Sequence, residues 1–194
     1  MTIRVISGKY KGKRLKLVRD KKVRPLPHKL KETFFNIIQF EIPGISILDG
    51  FAGTGSMGIE ALSRGAKHVT FIDDFYPAIQ AIKTNIRRCS AEDSTRVIHK
   101  EFNRAIIRLS KEEKVFDLIF LDPPYALAEE RDPLKVVYKR EVLSRGGILV
   151  FRHHFKTKFE SKYFELKRKT RVADDVLEFY GYNEKQREKA ENKA

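Results

Sequence analysis

The sequence predicts a doubly wound α/β domain with a mostly parallel sheet, on three observations. Short apolar runs rich in β-branched residues alternate with segments of helical period between residues 45 and 152. A glycine-rich turn follows the first of these runs and opens a helix. A Pro-Pro turn follows the fourth. Alternation of this kind implies right-handed crossovers, with helices covering both faces of a parallel sheet.

Element by element, ISILD (45–49) is the first strand of the series, and Ser56 to Arg64 is a helix closed by Gly65. HVTFID (68–73) is a strand, and Pro77 lies in the first turn of a helix running to Cys89. TRVIHK (95–100) is a strand, Phe102 to Ser110 a helix, and VFDLIFLD (115–122) a strongly apolar strand. Leu134 to Leu143 is expected to be helical, followed by a turn at Arg145-Gly146-Gly147 and the strand GILVFR (147–152). YFELKRKT and VLEFYGY are expected to pair as an antiparallel edge. Ahead of all this, Ile3, Val5 and Ile6 with Gly8 and Gly12 suggest a short basic hairpin or arm. Arg24-Pro25-Leu26-Pro27 is an extended break. Leu30, Phe34, Ile37 and Ile38 then recur at helical spacing between Lys29 and Phe40, and Pro43-Gly44 stops that helix. The expected division is a basic arm and helix over 1–44, a main domain over 45–182, and a charged tail over 183–194 that has no core residues and is expected to fray.

Bulk composition narrows the partners. The formal net charge is +14, and residues 1–31 hold twelve cations against one acid, Asp20. Charge concentrated in this way fits a docking surface for a polyanion, nucleic acid above all. Arg4, Lys9, Lys11, Lys13, Arg14 and Arg24 are the candidate phosphate contacts. Arg152 to Arg171 is a second basic region, either a solvated strand face or a second phosphate-contacting patch. No apolar run approaches the roughly 18–20 residues of a membrane span. The N-terminus lacks the pattern of a secretory signal. The single Cys89 cannot form an internal disulfide, and on a helix it is expected to be a packed, reduced thiol. The expected compartment is therefore the cytoplasm. His28, His68, His99, His153 and His154 show no metal-ligand spacing, so no metal is expected.

GTGSMG, residues 53–58, is a literal match to the dinucleotide fingerprint, which by itself is weak. Asp49 separates the ligand classes. It ends the first strand of the series, where open α/β sheets bind ligands. A carboxylate there repels a pyrophosphate and attracts a cation, such as the α-amino group of an amino acid. S-adenosylmethionine carries an ammonium and a sulfonium and no phosphate. Asp73 ends the next strand and is placed to accept ribose hydroxyls, a role that suits NAD and S-adenosylmethionine equally. Glu101 and Phe102 follow the third strand and could offer an acceptor and an apolar face to an adenine; a solvated Glu and a core Phe are the alternative.

The second motif is Asp122-Pro123-Pro124-Tyr125. Two prolines fix the backbone and remove two N–H donors. A carboxylate and carbonyls beside an aromatic ring suit an exocyclic amine on a planar base, with Tyr125 stacking on it. Such an amine is a poor nucleophile because its lone pair is delocalised. Two acceptors holding its hydrogens aim the lone pair at a methyl group on a sulfonium. The competing reading is a rigid turn with a core tyrosine.

LDGFAGTG together with FLDPPY resembles the amino-group methyltransferases of the Rossmann-like, class I S-adenosylmethionine superfamily. RVISGKYKGKRLKL followed by VRPLPHKLKETFFNII resembles the RsmD-type 16S rRNA guanine-N2 methyltransferases, over roughly residues 3–182. The resemblance implies a cofactor loop of Asp49, Phe51, Gly53, Thr54 and Gly55. It also implies Asp73 at the ribose, Glu101 and Phe102 at the adenine, and Asp122, Pro123, Pro124 and Tyr125 as the catalytic loop. The implied cofactor is S-adenosylmethionine, with S-adenosylhomocysteine as product, and the implied partner is 16S rRNA, free or in a 30S assembly particle. An adenine-N6 methyltransferase, a noncatalytic RNA-binding module and a nicotinamide oxidoreductase are the rivals. Three departures stand out: Leu26 where the family has Thr, Phe75 where it has a second acid after Asp73, and Arg152-His153-His154 where an acid is common after the fifth strand.

Overall fold

The computed structural model describes residues 3–18, 20, 26–124, 130–157 and 159–183. Arg24, Tyr125, Lys158 and the tail from residue 184 lie outside the described residues. The arm holds two short strands, β1 (Ile3–Arg4) and β2 (Arg14–Leu15), paired antiparallel, and leads to α1 (His28–Ile37). The main series is β3 (Ser46–Gly50), α2 (Ser56–Ser63), β4 (His68–Asp73), α3 (Tyr76–Cys89), β5 (Thr95–His99), α4 (Phe102–Lys111), β6 (Phe116–Leu121), α5 (Pro133–Lys139) and β7 (Leu143–His154). The hairpin β8 (Glu165–Val172) and β9 (Asp175–Gly181) completes it.

Seven strands form one sheet in the order β5-β4-β3-β6-β7-β9-β8. The first five are mutually parallel, and β9 pairs antiparallel with both β7 and β8. Chain order reverses at β3/β6, so the crevice above the carboxyl ends of these two strands is the topological switch point where such sheets take ligands.

Strand residues alternate between two cores, as a sheet buried on both faces requires. Ile47, Val69, Phe71, Leu118 and Phe120 join the core under α1, α2 and α3. Leu48, Ile72, Ile119 and Leu121 join the one under α4 and α5. The arm shares the first core through Val5, Tyr10 and Leu15. Phe34 of α1 packs edge-on to Phe35 at 4.9 Å and to Phe120 at 5.2 Å, tying α1 to the sheet.

Three elements differ from expectation. The helix expected over Leu134 to Leu143 stops at Lys139, because the Val142 carbonyl accepts the Phe116 N–H and commits the chain to strand pairing. β7 therefore begins at Leu143, and Arg145-Gly146-Gly147 is an irregularity inside it rather than a turn before it: pairing jumps from Phe116–Leu143 to Leu118–Ile148. The helix expected to reach Phe40 ends at Ile37, leaving the Phe40 ring exposed. Cys89 is buried and free, as expected, and burial pushes its thiol pKa up.

Candidate active site

The glycine loop is built from backbone geometry and two carboxylates. Gly55, with φ at 73°, precedes α2 in the left-handed conformation, which costs glycine little and a β-carbon more. A β-carbon on Gly58 would stand 2.3 Å from the Phe71 ring, so this residue lets α2 lie close on β4. α2 has no side-chain cap at its first residue. Asp49 substitutes for one from the strand: its Oδ2 accepts the Gly58 N–H at 2.9 Å, satisfying an N–H left open in the first helical turn. Asp73 does the same for the loop. Its Oδ2 accepts the Gly53 N–H at 2.7 Å and its Oδ1 the Phe75 N–H at 2.9 Å. The carboxylate expected at the ribose is thus already a clamp on the turn it faces, with the second lone pair of each oxygen left for a ligand.

Asp49 is the most perturbed acid of the loop. It is buried, and desolvation pushes its pKa up to about 8, against the Gly58 hydrogen bond, with the charges of Asp122 and Asp73 adding to the rise. Burial also raises Asp73. Three carboxylates therefore share one rim above β3, β4 and β6, and none among Asp49's recorded partners is a cation. Such a site is set to receive positive charge and repels a phosphate.

Beside the glycine loop, Phe51 takes a left-handed backbone (φ 62°) and stacks on Phe102 at 4.7 Å and 24°. An unfavourable backbone held in place at a ligand loop is a common mark of function. Phe102 itself is buried in the core. Glu101 caps α4, accepting the Asn103 and Arg104 N–H groups, and pairs with Arg131 at 3.2 Å. Burial alone would raise its pKa; the two backbone donors and Arg131 hold it below the usual range. Each Glu101 oxygen accepts one N–H of the helix end, with Arg131 also on Oε1, and the buried Phe102 backs the Phe51 ring.

The second motif meets the first across the β3–β6 pair. Gly50 pairs with Leu121, and Asp122-Pro123-Pro124 follows directly. Asp122 is gripped by Arg152, whose Nη1 donates to Oδ2 at 2.6 Å. The same guanidinium donates from Nη2 and Nε to Oδ1 of Asp175, at 2.7 and 3.1 Å. Desolvation raises the Asp122 pKa while Arg152 opposes the rise. Arg152, read from sequence as part of a basic patch, is turned inward because the loop after β6 and the start of β9 place two acids around it. His153 is likewise buried, 3.3 Å from the buried Glu178, which also takes Lys169 at 2.7 Å and the Tyr180 hydroxyl.

The arm docks beside the glycine loop. Glu60 of α2 accepts the Ile6 and Ser7 N–H groups and pairs with Lys31 at 3.3 Å and Arg64 at 3.0 Å. The Asn85 amide holds Lys16 on both sides of its backbone and donates to the Thr54 carbonyl at 3.0 Å. Sequence reasoning missed Glu60, Asn85 and Asp175. One signal existed: Glu60 is the sole acid in the otherwise small and apolar helix SMGIEALS, a pattern that demands a buried partner. Arg4, Lys9, Lys11, Lys13 and Arg14 are exposed on the arm, with Lys9 and Lys13 flanking the Tyr10 ring at 5.5 and 5.7 Å. Among the described residues no cluster of metal-ligating side chains occurs, and no helix is long and apolar enough to cross a membrane.

Comparison with known proteins agrees with this architecture. YhhF of Escherichia coli, a solved structure provisionally titled a methyltransferase, superposes with a TM-score of 0.79 over 94% of this chain and 98% of its own, at 22% identity. YlbH of Bacillus subtilis, provisionally named an rRNA methyltransferase, is 39% identical over 151 residues, covering 78% of this chain and 82% of its own length. Ribosomal RNA small subunit methyltransferase D of Buchnera aphidicola (strain Bp) is 34% identical over 149 residues, covering 76% and 74%. A family model described as Conserved hypothetical protein 95 matches residues 3–181, and the chain belongs to that family, the RsmD-type family whose motifs it carries.

Proposed function

We propose that the protein is an S-adenosylmethionine-dependent methyltransferase that modifies the exocyclic N2 amine of a guanine in 16S rRNA. The observation that carries this reading is the buried, cation-seeking Asp49 at the glycine loop, one strand away from Asp122-Pro123-Pro124. Relatives named small-subunit rRNA methyltransferases support the substrate class, and the exposed cations of the arm supply a surface for the phosphate backbone. We place the enzyme in the cytoplasm, acting on rRNA either free or within a 30S assembly particle.

The residues present fit the cofactor. The donor set is anionic, and the glycine loop keeps close-approach backbone at the switch point. Asp49 would hold the amino-acid end, Asp73 the ribose, and the Phe51–Phe102 pair the adenine side. When bound, S-adenosylmethionine supplies a methyl group on a sulfonium, already activated for transfer. The protein's part is alignment. Asp122 and the Pro123 carbonyl accept the two hydrogens of the base amine, so its lone pair points at the methyl carbon. The base is splayed out of the RNA to reach the loop, where the motif's Tyr125 would supply the stacking ring. One N–C bond would form as the sulfonium S–C bond breaks, and the amine would give up one proton to the Asp122 carboxylate or to solvent.

A methyl-transfer assay with undermethylated 30S particles, free 16S rRNA and DNA tests this reading. Labelled N2-methylguanosine on one of the rRNA forms is the expected product. N6-methyladenine as the sole product would replace the guanine reading with an adenine one. Absence of transfer to every substrate, with RNA binding retained, would leave a noncatalytic RNA-binding module.

A further inference from the structure

Arg152 touches more of this site than a framework residue needs to. Its side chain is 16% exposed, Asp122 is 26% exposed and Asp175 12%. The planar fork spans two acids from two different elements, the loop after β6 and the start of β9. Leu121 pairs with Phe151 across β6 and β7, which brings Asp122 and Arg152 out side by side at the end of the pair. Arg152 bonds to Oδ2 of Asp122, so Oδ1 is the oxygen offered to a substrate amine.

We propose that Arg152 is a positioning residue for methyl transfer: anchored by Asp175, it fixes the rotamer of Asp122, keeps that carboxylate ionised, and leaves one oxygen as the acceptor for the amino hydrogen. This rests on the reading of Asp122 as the amine-binding acid. The charged groups recorded around Asp122 are Arg152 from β7, Asp175 from β9 and Asp49 from β3. Arg152 is the one cation among them, so losing it leaves three acids facing one another. An acceptor-only role needs Asp122 unprotonated, and a lysine cannot reproduce the fork that grips both acids at once.

The test is steady-state kinetics on 16S rRNA or 30S particles with Arg152→Gln, Arg152→Lys and Asp175→Asn, each with a pH profile of kcat and calorimetry with S-adenosylhomocysteine. For Arg152→Gln, kcat is expected to fall about 10- to 100-fold, because misplacement of a reacting group costs that much. KM for S-adenosylmethionine is expected to stay within about twofold, since the contact belongs to the transfer step. The acid limb of the profile moves to higher pH, because an uncompensated Asp122 takes up a proton more readily. Arg152→Lys keeps the charge, so its limb stays nearer the parent's while kcat remains low. Asp175→Asn loosens the anchor and lowers kcat less than Arg152→Gln does. If Arg152→Gln does not fold, the charge-conserving Arg152→Lys decides by the split between kcat and KM. Parent kcat with an unmoved acid limb in both Arg152 variants overturns the proposal, and so does a kcat loss matched by an equal loss of S-adenosylhomocysteine affinity. Full transfer by Asp122→Asn would instead sink the reading of Asp122 itself.

Discussion

The glycine loop and the Asp-Pro-Pro loop stand side by side above the same sheet, yet they are held in different ways. Around the glycine loop, carboxylates bind backbone N–H groups a short distance along the chain: Asp49 to Gly58, nine residues on, and Asp73 back to Gly53, 20 residues earlier. Around the second loop, one side chain binds another from a remote strand: Asp122 to Arg152, 30 residues on, and Arg152 to Asp175, 23 further. The first arrangement depends on φ angles and on one continuous β3–α2–β4 unit. The second exists only after β7 and β9 have paired. Binding and chemistry should therefore fail separately when each is disturbed.

The largest effect is expected at the second loop. Asp122→Ala should reduce transfer by a hundredfold or more, on the order of what loss of one well-placed electrostatic group costs, while S-adenosylhomocysteine still binds in calorimetry. Loss of both together would erase the contrast between the two loops.

Next comes Asp49→Asn, which should abolish measurable binding of S-adenosylmethionine. It should leave the melting temperature of the ligand-free protein at pH 8 equal to or above the parent's. The sign follows from linkage. With a folded pKa of about 8 against 3.8 in the unfolded chain, folded Asp49 holds the extra proton. The stability contributed by the neutral form is full below about pH 4 and is lost as pH rises through about 8. For the same reason, cofactor affinity should increase with pH through neutrality, with proton release visible in buffers of different ionisation enthalpy.

A third prediction concerns the arm. Glu60→Ala leaves the buried Lys31 ammonium without its carboxylate and two arm N–H groups without an acceptor. A destabilisation of about 3–5 kcal/mol is expected from breaking such a buried pair, measurable by urea unfolding. If stability is unchanged, the arm is not tied down through Glu60.

The smallest effect is at the surface. Lys11→Ala should weaken 16S rRNA binding modestly and lower the slope of log affinity against log salt by about 0.7–0.9 per lost phosphate contact, with kcat unaltered at saturating RNA. An unchanged slope would remove Lys11 from the RNA-binding face.

How much of this was legible in the chain follows the same division. β4 matched its expected bounds at both ends, because HVTFID is a short apolar run between a glycine turn and an acidic end. α5 and β7 were misjudged because the Val142–Phe116 pairing, invisible in local propensity, outweighs the helical pattern of Leu134 to Leu143. Asp49 and Asp122 read from sequence as acids at strand ends beside turn motifs, and the structure has Asp49 one residue before the end of β3 and Asp122 directly after β6. Glu101 was visible as a polar residue after a strand, but its commitment to the α4 end depended on seeing which N–H groups lay open.

The sequence by itself determined the sheet's alternation, the place of the crevice and the acids on its rim, since strand period, glycine φ and proline geometry are local properties of the chain. Only the tertiary structure decided that Arg152 is a buried partner of Asp122 rather than one more surface cation, that Glu60 receives the arm, and that Asn85 joins the arm to the cofactor loop. A charged side chain's partner is set by which strands and helices come together, and the cost of burying it unpaired then fixes that partner.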